Sequence, residues 1–150
     1  MQSKKKNKDM KVLIASDHAG FELKEEIKFH FSSFCEWEDY GTNSWESVDY
    51  PDYIHPMAEK ISLNSELMGI IICGSGNGVA MTANKHPNVR AALCWSPEIA
   101  SLARKHNNAN ILALPGRFIS QEQAFEIINT FFSTDFEGGR HLLRVNKINI

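Results

Sequence analysis

A cysteine followed by a glycine-rich loop is the feature of this sequence that points most directly to chemistry. Cys73 ends an apolar run, and the loop after it consists of Gly74, Ser75, Gly76, Asn77 and Gly78. Glycines let the backbone approach a ligand closely and aim N–H groups at an anion, and such surroundings favour a thiolate. The loop therefore predicts an anion or oxyanion site beside a reactive cysteine. The alternatives are a tight turn without a ligand and a small cysteine buried in the core.

The same loop argues against a nicotinamide cofactor. Dinucleotide-binding loops have the spacing G-x-G-x-x-G, lie in the first strand–helix unit, and are followed by an acidic residue at the end of the next strand. Here the spacing is G-x-G-x-G, the loop lies in the third unit, and the residue after Cys94 is Trp95. We therefore expect no nicotinamide to bind.

Acid–base groups stand after the first predicted strand and at the end of the fourth predicted helix. Asp17 and His18 are suited to proton transfer at a strand end. Alternatively, Asp17 caps the following helix and His18 packs against the core. His106 lies at a helix end, where an interaction with the helix dipole is the alternative to a catalytic role. No spacing among the six histidines resembles a metal site, so we expect a metal-free protein.

Three of the five arginines suggest a phosphorylated ligand. Arg140 and Arg144 are four residues apart, so in a helix they project from one face and could hold one phosphate between them. Arg117 follows the last predicted strand and adds a third guanidinium if the fold brings it near. A solvated basic face is the alternative.

The elements that must position these residues alternate along the chain. The predicted strands are 11–16, 35–40, 68–73, 89–94 and 110–114. The predicted helices are 21–34, 53–63, 77–84, 97–106 and 120–132, with a terminal helix or arm over 137–150. This alternation predicts an α/β fold with a doubly wound, mostly parallel five-stranded sheet. Ligands in such sheets bind beyond the carboxyl ends of the strands, where the reactive residues above are found.

Composition and charge exclude several protein classes. The 150 residues are 43% apolar and 23% charged with a net charge of −2, which is typical of a globular domain. This balance argues against a strongly basic nucleic-acid binder, and no apolar run approaches the ~20 residues of a membrane span. Three cysteines without a CxxC pair argue against disulfides and favour the reducing cytoplasm. Residues 1–9, with four lysines, predict a disordered basic tail before a single domain over 10–150.

Several short motifs follow one another over about residues 10–146. The first is Ser16-Asp17-His18-Ala19-Gly20-Phe21-Glu22-Leu23-Lys24. The others are Asp49-Tyr50-Pro51, Cys73-Gly74-Ser75-Gly76-Asn77-Gly78, Asn84-Lys85, Arg90-Ala91-Ala92, His106-Asn107-Asn108-Ala109-Asn110, Gly116-Arg117 and Glu137-Gly138-Gly139-Arg140-His141. Together, in this order and spacing, they resemble the ribose-5-phosphate isomerase B family, whose wider group includes allose- and galactose-6-phosphate isomerases.

The resemblance implies a fold, an activity and an assembly. The fold is a Rossmann-like three-layer α/β/α sandwich. The activity is aldose–ketose isomerisation without cofactor or metal. It interconverts ribose 5-phosphate and ribulose 5-phosphate in the pentose phosphate pathway. The assembly is a homodimer with pockets at the subunit interface, which could pair further into a tetramer. A hexose 6-phosphate isomerase and a non-catalytic sugar-phosphate sensor are the alternatives.

The resemblance also assigns roles to individual residues. Cys73 resembles the base that moves a proton between C1 and C2, and Asp17 and His106 resemble the pair that opens the sugar ring. The substrate-binding residues would be His18, Tyr50, Gly74, Ser75, Gly76, Asn77, Gly78 and Asn107, with Arg117, Arg140 and Arg144 on the phosphate. Some of the arginines would come from the partner subunit.

Two positions depart from the family pattern. Some members use a Glu directly after the last glycine of the loop, where this chain has Val79, which leaves the role of base to Cys73. Many members have Asp where this chain has Asn108. We expect Asn108 to lie behind the residues that contact substrate.

Overall fold

A sheet of five parallel strands forms the centre of the computed structural model, which describes residues 10–150. The strands are β1 (Lys11–Ser16), β2 (Glu36–Asp39), β3 (Met68–Cys73), β4 (Ala91–Leu93) and β5 (Ile111–Pro115). Their order is β2-β1-β3-β5-β4, and every neighbouring pair is parallel. The expected α/β class is confirmed, and the sheet is wholly rather than mostly parallel. The tail predicted over residues 1–9 lies outside the described residues.

Helices connect the strands and cover both faces of the sheet. They are α1 (Phe21–His30), α2 (Tyr50–Leu63), α3 (Asn77–Ala83), α4 (Pro97–Asn107), α5 (Gln121–Ser133) and α6 (Arg140–Asn146), with a 3-10 turn at His18–Gly20. Serine side chains cap two of them, Ser96 at α4 and Ser120 at α5, where they accept bonds from otherwise unpaired N–H groups. Within residues 10–150, no helix is long and apolar enough to cross a membrane.

The period of two along each strand divides the core into two layers. In β1, Val12 and Ile14 face a cluster formed with α1, α4 and α5, whereas Leu13 and Ala15 face a cluster formed with α2 and α3. Each fully buried Val, Leu or Ile side chain contributes about 1.5–3 kcal/mol to stability. The result is the three-layer, Rossmann-like α/β/α sandwich that was expected.

Most element boundaries differ from those predicted by a few residues, and three of the differences are informative. Helix α1 ends at His30 and not at residue 34, because the chain leaves the helical region at Phe31, which still packs against Phe34 at 6.0 Å. The apolar residues spaced as in a helix therefore continue beyond the residue where the helix ends. Helix α2 begins at Tyr50, with Pro51 in the first turn, where its missing N–H costs nothing. Strand β4 begins at Ala91 and not at residue 89, and the Arg90 N–H just before it donates to the Asn110 side chain.

The strand order creates the point where a ligand can enter. From β1 the chain crosses to β2 at one edge, and β3 lies on the other side of β1. The connections after β1 and β3 therefore diverge and leave a crevice at their carboxyl ends. Ser16 ends β1 and Cys73 ends β3, so the motifs that follow both strands meet there.

Candidate active site

An open cleft of about 840 Å³ lies at the carboxyl ends of β1 and β3, within the range typical of small-molecule sites. Its lining comes from the turn after β1, the loop before α2 and the start of that helix, the loop after β3, and the turn after β5. The lining residues are Asp17, His18, Ala19, Ser47, Val48, Asp49, Tyr50, Pro51, Asp52, Cys73, Gly74, Ser75, Gly78 and Arg117. Eight of the fourteen predicted site residues are therefore brought together in one chain.

Cys73 is the reactive candidate at the floor of this cleft. It ends β3, is 6% exposed, and its Sγ accepts a hydrogen bond from the Gly76 N–H at 3.2 Å. A donated hydrogen bond stabilises negative charge on sulfur. The other two cysteines differ, because burial raises the pKa of Cys35 and of Cys94 to about 12. Both are core residues, as the sequence predicted.

Gly76 and Gly78 of the loop each lack room for a side chain, for a different structural reason. Gly76 has φ +78°, and a side chain there would overlap Leu93 and the backbone of Leu114. Gly78 lies directly under the Tyr50 ring, where any side chain would overlap the aromatic atoms. Gly74, Ser75 and Gly78 line the cleft, whereas the buried Gly76 and the exposed Asn77 do not.

Asp17 both caps the turn after β1 and lines the cleft, so the two alternatives posed by the sequence are combined in one residue. Its Oδ1 accepts hydrogen bonds from the N–H groups of Ala19 and Gly20 at 2.9 and 3.1 Å. Both of these bonds use the same oxygen. The carboxylate is 7% exposed and held in one orientation.

His18 is oriented by a backbone bond from the loop before α2. The Val48 N–H donates to His18 Nδ1 at 3.1 Å, so Nδ1 is unprotonated and the neutral ring carries its proton on Nε2. The ring lines the cleft and can donate a hydrogen bond to an oxygen there. Sequence reasoning did not single out Ser47 and Val48; the motif Asp49-Tyr50-Pro51 was the signal that this loop belongs to the site.

A buried lysine fixes the strand ends behind Asp17 and His18. Lys24 is fully buried and donates to Asp39 Oδ2 at 2.6 Å, while Asp39 Oδ1 accepts the Gly41 N–H at 2.8 Å. The Gly41 carbonyl in turn accepts the Ser16 N–H at 2.7 Å. Burial alone would raise the pKa of Asp39, but hydrogen bonds from Lys24 and Lys28 outweigh it and hold that pKa below its ordinary value.

The five arginines divide into structural and exposed groups. Arg90 donates to the Asn108 carbonyl at 2.8 Å, and Arg104 donates to the carbonyls of Ala109 and Thr134 at 2.6 and 3.1 Å. These two guanidinium groups are therefore committed to the backbone. The remaining three are Arg117, which lines the cleft across Gly74, and Arg140 and Arg144, which are exposed on α6.

Besides Gly76 and Asn77, four predicted residues do not line the cleft, and these four form a second group. His106 and Asn107 lie at the end of α4, next to α6 with Arg140 and Arg144. The His106 ring stacks on His141 with centroids 4.3 Å apart. His106 does not terminate the helix, because the cap is Asn108 in the left-handed region with φ 48°.

The two departures from the family pattern have structural explanations. Val79 is fully buried in the core beside α2, so no carboxylate enters the cleft from this position. Asn108 accepts from Arg104 through its side chain at 3.1 Å and adopts a left-handed conformation that both Asn and Asp tolerate. Asn108 therefore serves the backbone at the end of α4.

Comparisons with known proteins agree with this architecture. The family model described as Ribose/Galactose Isomerase matches residues 12–148. The ribose-5-phosphate isomerase B of Escherichia coli is 40% identical over 139 residues, covering 92% of this chain and 93% of that protein.

Solved structures of related proteins superimpose closely. A ribose 5-phosphate isomerase from Thermotoga maritima is 53% identical with a TM-score of 0.90, covering 93% of this chain and 97% of the other. A ribose-5-phosphate isomerase B from Mycoplasma genitalium, solved with bound ribulose-5-phosphate, is 43% identical with a TM-score of 0.89 and 93% coverage of both chains. The chain therefore belongs to the ribose/galactose isomerase family.

Proposed function

We propose that this protein is an aldose–ketose isomerase that interconverts ribose 5-phosphate and ribulose 5-phosphate. The observation that supports this best is Cys73, a buried thiol that accepts an N–H bond and lines the same cleft as Asp17, His18 and Arg117. The related Mycoplasma genitalium protein, whose structure contains ribulose-5-phosphate, shares 43% of its sequence with this chain. A thiol base, acid–base groups and a guanidinium together can carry out this reaction.

The proton transfer is assigned to Cys73. As a thiolate it removes the C2 proton of the open-chain aldose, which leaves an enediolate, and the resulting thiol returns a proton to C1, which regenerates the thiolate. The proton of the C2 hydroxyl passes to O1, which completes the ketose. Loop N–H groups oriented before the substrate arrives stabilise the enediolate oxygen, and donors of this kind are worth about 3–4 kcal/mol each.

Substrate positioning is assigned to groups at the rim. Arg117 holds the phosphate, which fixes the carbon chain relative to Cys73. His18 donates from Nε2 to the phosphate or to a sugar oxygen. Tyr50, which packs against Gly78, supplies a flat wall for the sugar.

Ring opening requires an acid and a base, and the proposal assigns these roles to Asp17 and His106. Asp17 lines the cleft, whereas His106, Asn107, Arg140 and Arg144 are absent from the cleft lining of the described chain. We propose that a second copy of the chain supplies these four residues, in a homodimer with shared sites. Exposed apolar residues adjoin both groups, Phe118 next to Arg117 and Leu143 next to Arg144, which suits an interface there.

The cellular setting follows from chemistry. All three cysteines are free thiols, and Cys73 must stay reduced to act as a base. We therefore place the enzyme in the cytoplasm, acting on sugar phosphates of the pentose phosphate pathway.

The test is turnover with two substrates of different length. Ribose 5-phosphate and allose 6-phosphate are supplied separately to the purified protein, and ketose formation is followed for each. The proposal predicts turnover of the pentose with the higher kcat/KM. Turnover of the hexose alone would assign the site to a longer sugar, and turnover of neither, with sugar phosphate still bound, would contradict isomerisation.

A further inference from the structure

A histidine–glutamate–histidine cluster lies outside the cleft lining, at the junction of α4 and α6. His106 Nε2 is 3.8 Å from Glu137 Oε1, and His141 Nε2 is 3.6 Å from the same oxygen. One ligand atom from each residue lies within 4.8 Å of the other two, and this is the one such group found in residues 10–150. Direct charge-assisted hydrogen bonds are about 2.7–2.9 Å long, so the three groups surround a common space without closing on one another.

The dimensions of this space suit a transition-metal ion. Tetrahedral ligands at about 2.0–2.1 Å from Zn²⁺ are separated from one another by about 3.3 Å. The observed distances of 3.6 and 3.8 Å need to shorten by only a few tenths of an ångström, but the His106 ring must also turn out of its stack on His141, because stacked rings do not direct both Nε2 lone pairs at one ion. His106 and Glu137 are 39% and 51% exposed, so their side chains can rotate to do so. We propose that His106, Glu137 and His141 bind one divalent transition-metal ion, with water completing the coordination.

Hydrogen bonds hold the backbone segment that carries Glu137 against α4 before any ion arrives. The Glu137 N–H donates to the Lys105 carbonyl at 3.1 Å, which ties this segment to the last turn of α4. Arg104, also on α4, donates to the Thr134 carbonyl at 3.1 Å and anchors the same segment. The ion therefore meets ligands from two elements whose separation is already fixed, which reduces the entropy lost on binding.

The donor set, two imidazole nitrogens and one carboxylate oxygen, favours a transition metal. Neutral imidazole is the form that binds metals, whereas Mg²⁺ prefers oxygen ligands. Arg140 and Arg144 oppose a cation electrostatically, so the site selects ions that bind strongly to nitrogen, such as Zn²⁺ and Co²⁺.

An ion at this site would inhibit the isomerase, an expectation that rests on the proposed function. The metal occupies the lone pair of His106 Nε2, which ring opening would otherwise use. Zinc binding and catalysis therefore compete for the same imidazole.

The test is a titration of chelator-treated protein with Co²⁺, followed by the visible absorption of four-coordinate cobalt and by competition with Zn²⁺. One equivalent of ion per chain is expected, with no competition from Mg²⁺. Loss of an outer-sphere partner alone typically weakens metal binding about 10–100-fold, so Glu137→Gln and His141→Ala, which each remove a direct ligand, should weaken it at least about tenfold. Cys73→Ala and His55→Ala serve as matched controls, because His55 pairs with His86 elsewhere, and both should retain the spectrum.

The outcomes separate the metal site from the enzymatic proposal. No cobalt spectrum in the wild type, or an unchanged affinity in both Glu137→Gln and His141→Ala, would overturn the site, as would loss of binding in either control. The site is tested by absorption alone, so a protein inactive on all sugars would contradict only the proposed function. Metal bound without loss of turnover would contradict the inhibition.

Discussion

At the scale of single residues, three cysteines of one chain have three different surroundings. Cys35 and Cys94 are enclosed by apolar side chains that keep their thiols protonated, whereas Cys73 receives an N–H bond at a cleft wall. The sequence separated them correctly, because only Cys73 precedes a glycine loop. It could not show which loop members touch the cleft, since that depends on how Gly76 turns the chain beneath Leu93.

Selective alkylation tests this difference. We expect iodoacetamide to label Cys73 first in the native protein, because the reagent reaches the cleft and the thiolate is the nucleophile. Ribose 5-phosphate should slow the labelling. Peptide mass spectrometry reports the modified residue, and labelling of Cys35 or Cys94 at an equal rate would argue against a special role for Cys73.

Arg144 is predicted to act on binding rather than on chemistry. Arg144→Ala should raise KM for ribose 5-phosphate at least about tenfold, because a hydrogen bond to a charged group is worth about 1.5–3 kcal/mol, while kcat changes less. Steady-state kinetics measure both constants. Lys147→Ala, at the end of the same helix, is the matched control, and an unchanged KM for Arg144→Ala would remove this arginine from the phosphate site.

At the scale of elements, the ends of the strands are positioned by side-chain contacts that the pattern of hydrophobic residues does not predict. The alternation of strands and helices was predictable because buried parallel strands are short apolar runs. The boundaries of α1 and β4 were not, since Phe31 remains in the core after the helix ends and the Asn110 side chain replaces a strand bond. The role of Lys24 was also hidden, because a fully buried lysine looks like any other polar residue on a helix.

Removing the partner of Lys24 should destabilise the fold. Asp39→Asn leaves a buried ammonium with only Glu25 nearby, at a cost of about 3 kcal/mol measured by urea unfolding at pH 7. Glu25→Gln is the control, because Glu25 is half-exposed and its loss should cost much less.

The same ion pair predicts a pH dependence. The pKa of Asp39 is lower in the folded protein than in the unfolded chain, so its stabilisation is complete above the ordinary value of 3.8 and is lost as the pH falls through the lowered folded value. The acid limb of the unfolding free energy should therefore be shallower in Asp39→Asn. An identical limb in both proteins would contradict the assignment.

At the scale of the whole molecule, the predicted site divides into two groups. Asp17, Cys73 and Arg117 line the cleft, whereas His106 and Arg144 lie near the α4–α6 junction. The sequence identified both groups because each carries a motif. It could not show that they separate within one chain, since that depends on the path of α6 over the surface. Nor could spacing show that His106 meets His141, 35 positions later in the sequence.

A mixed dimer tests whether two chains share the site. Cys73→Ala and His106→Ala chains carry different tags, are co-expressed, and are purified as the heterodimer. If each site combines Cys73 of one chain with His106 of the other, one of the two sites is intact and turnover should reach about half of the wild type. An inactive heterodimer would mean that both residues act within a single chain.

Comparison of Cys73→Ala with Cys94→Ala shows whether Cys73 moves the proton. We expect Cys73→Ala still to bind ribulose 5-phosphate in a calorimetric titration but to lose isomerisation by about 100-fold or more, the contribution of a general base. Cys94→Ala, a substitution of a buried core thiol, should keep its turnover. Near-normal turnover of ribose 5-phosphate by Cys73→Ala would mean that another group moves the proton.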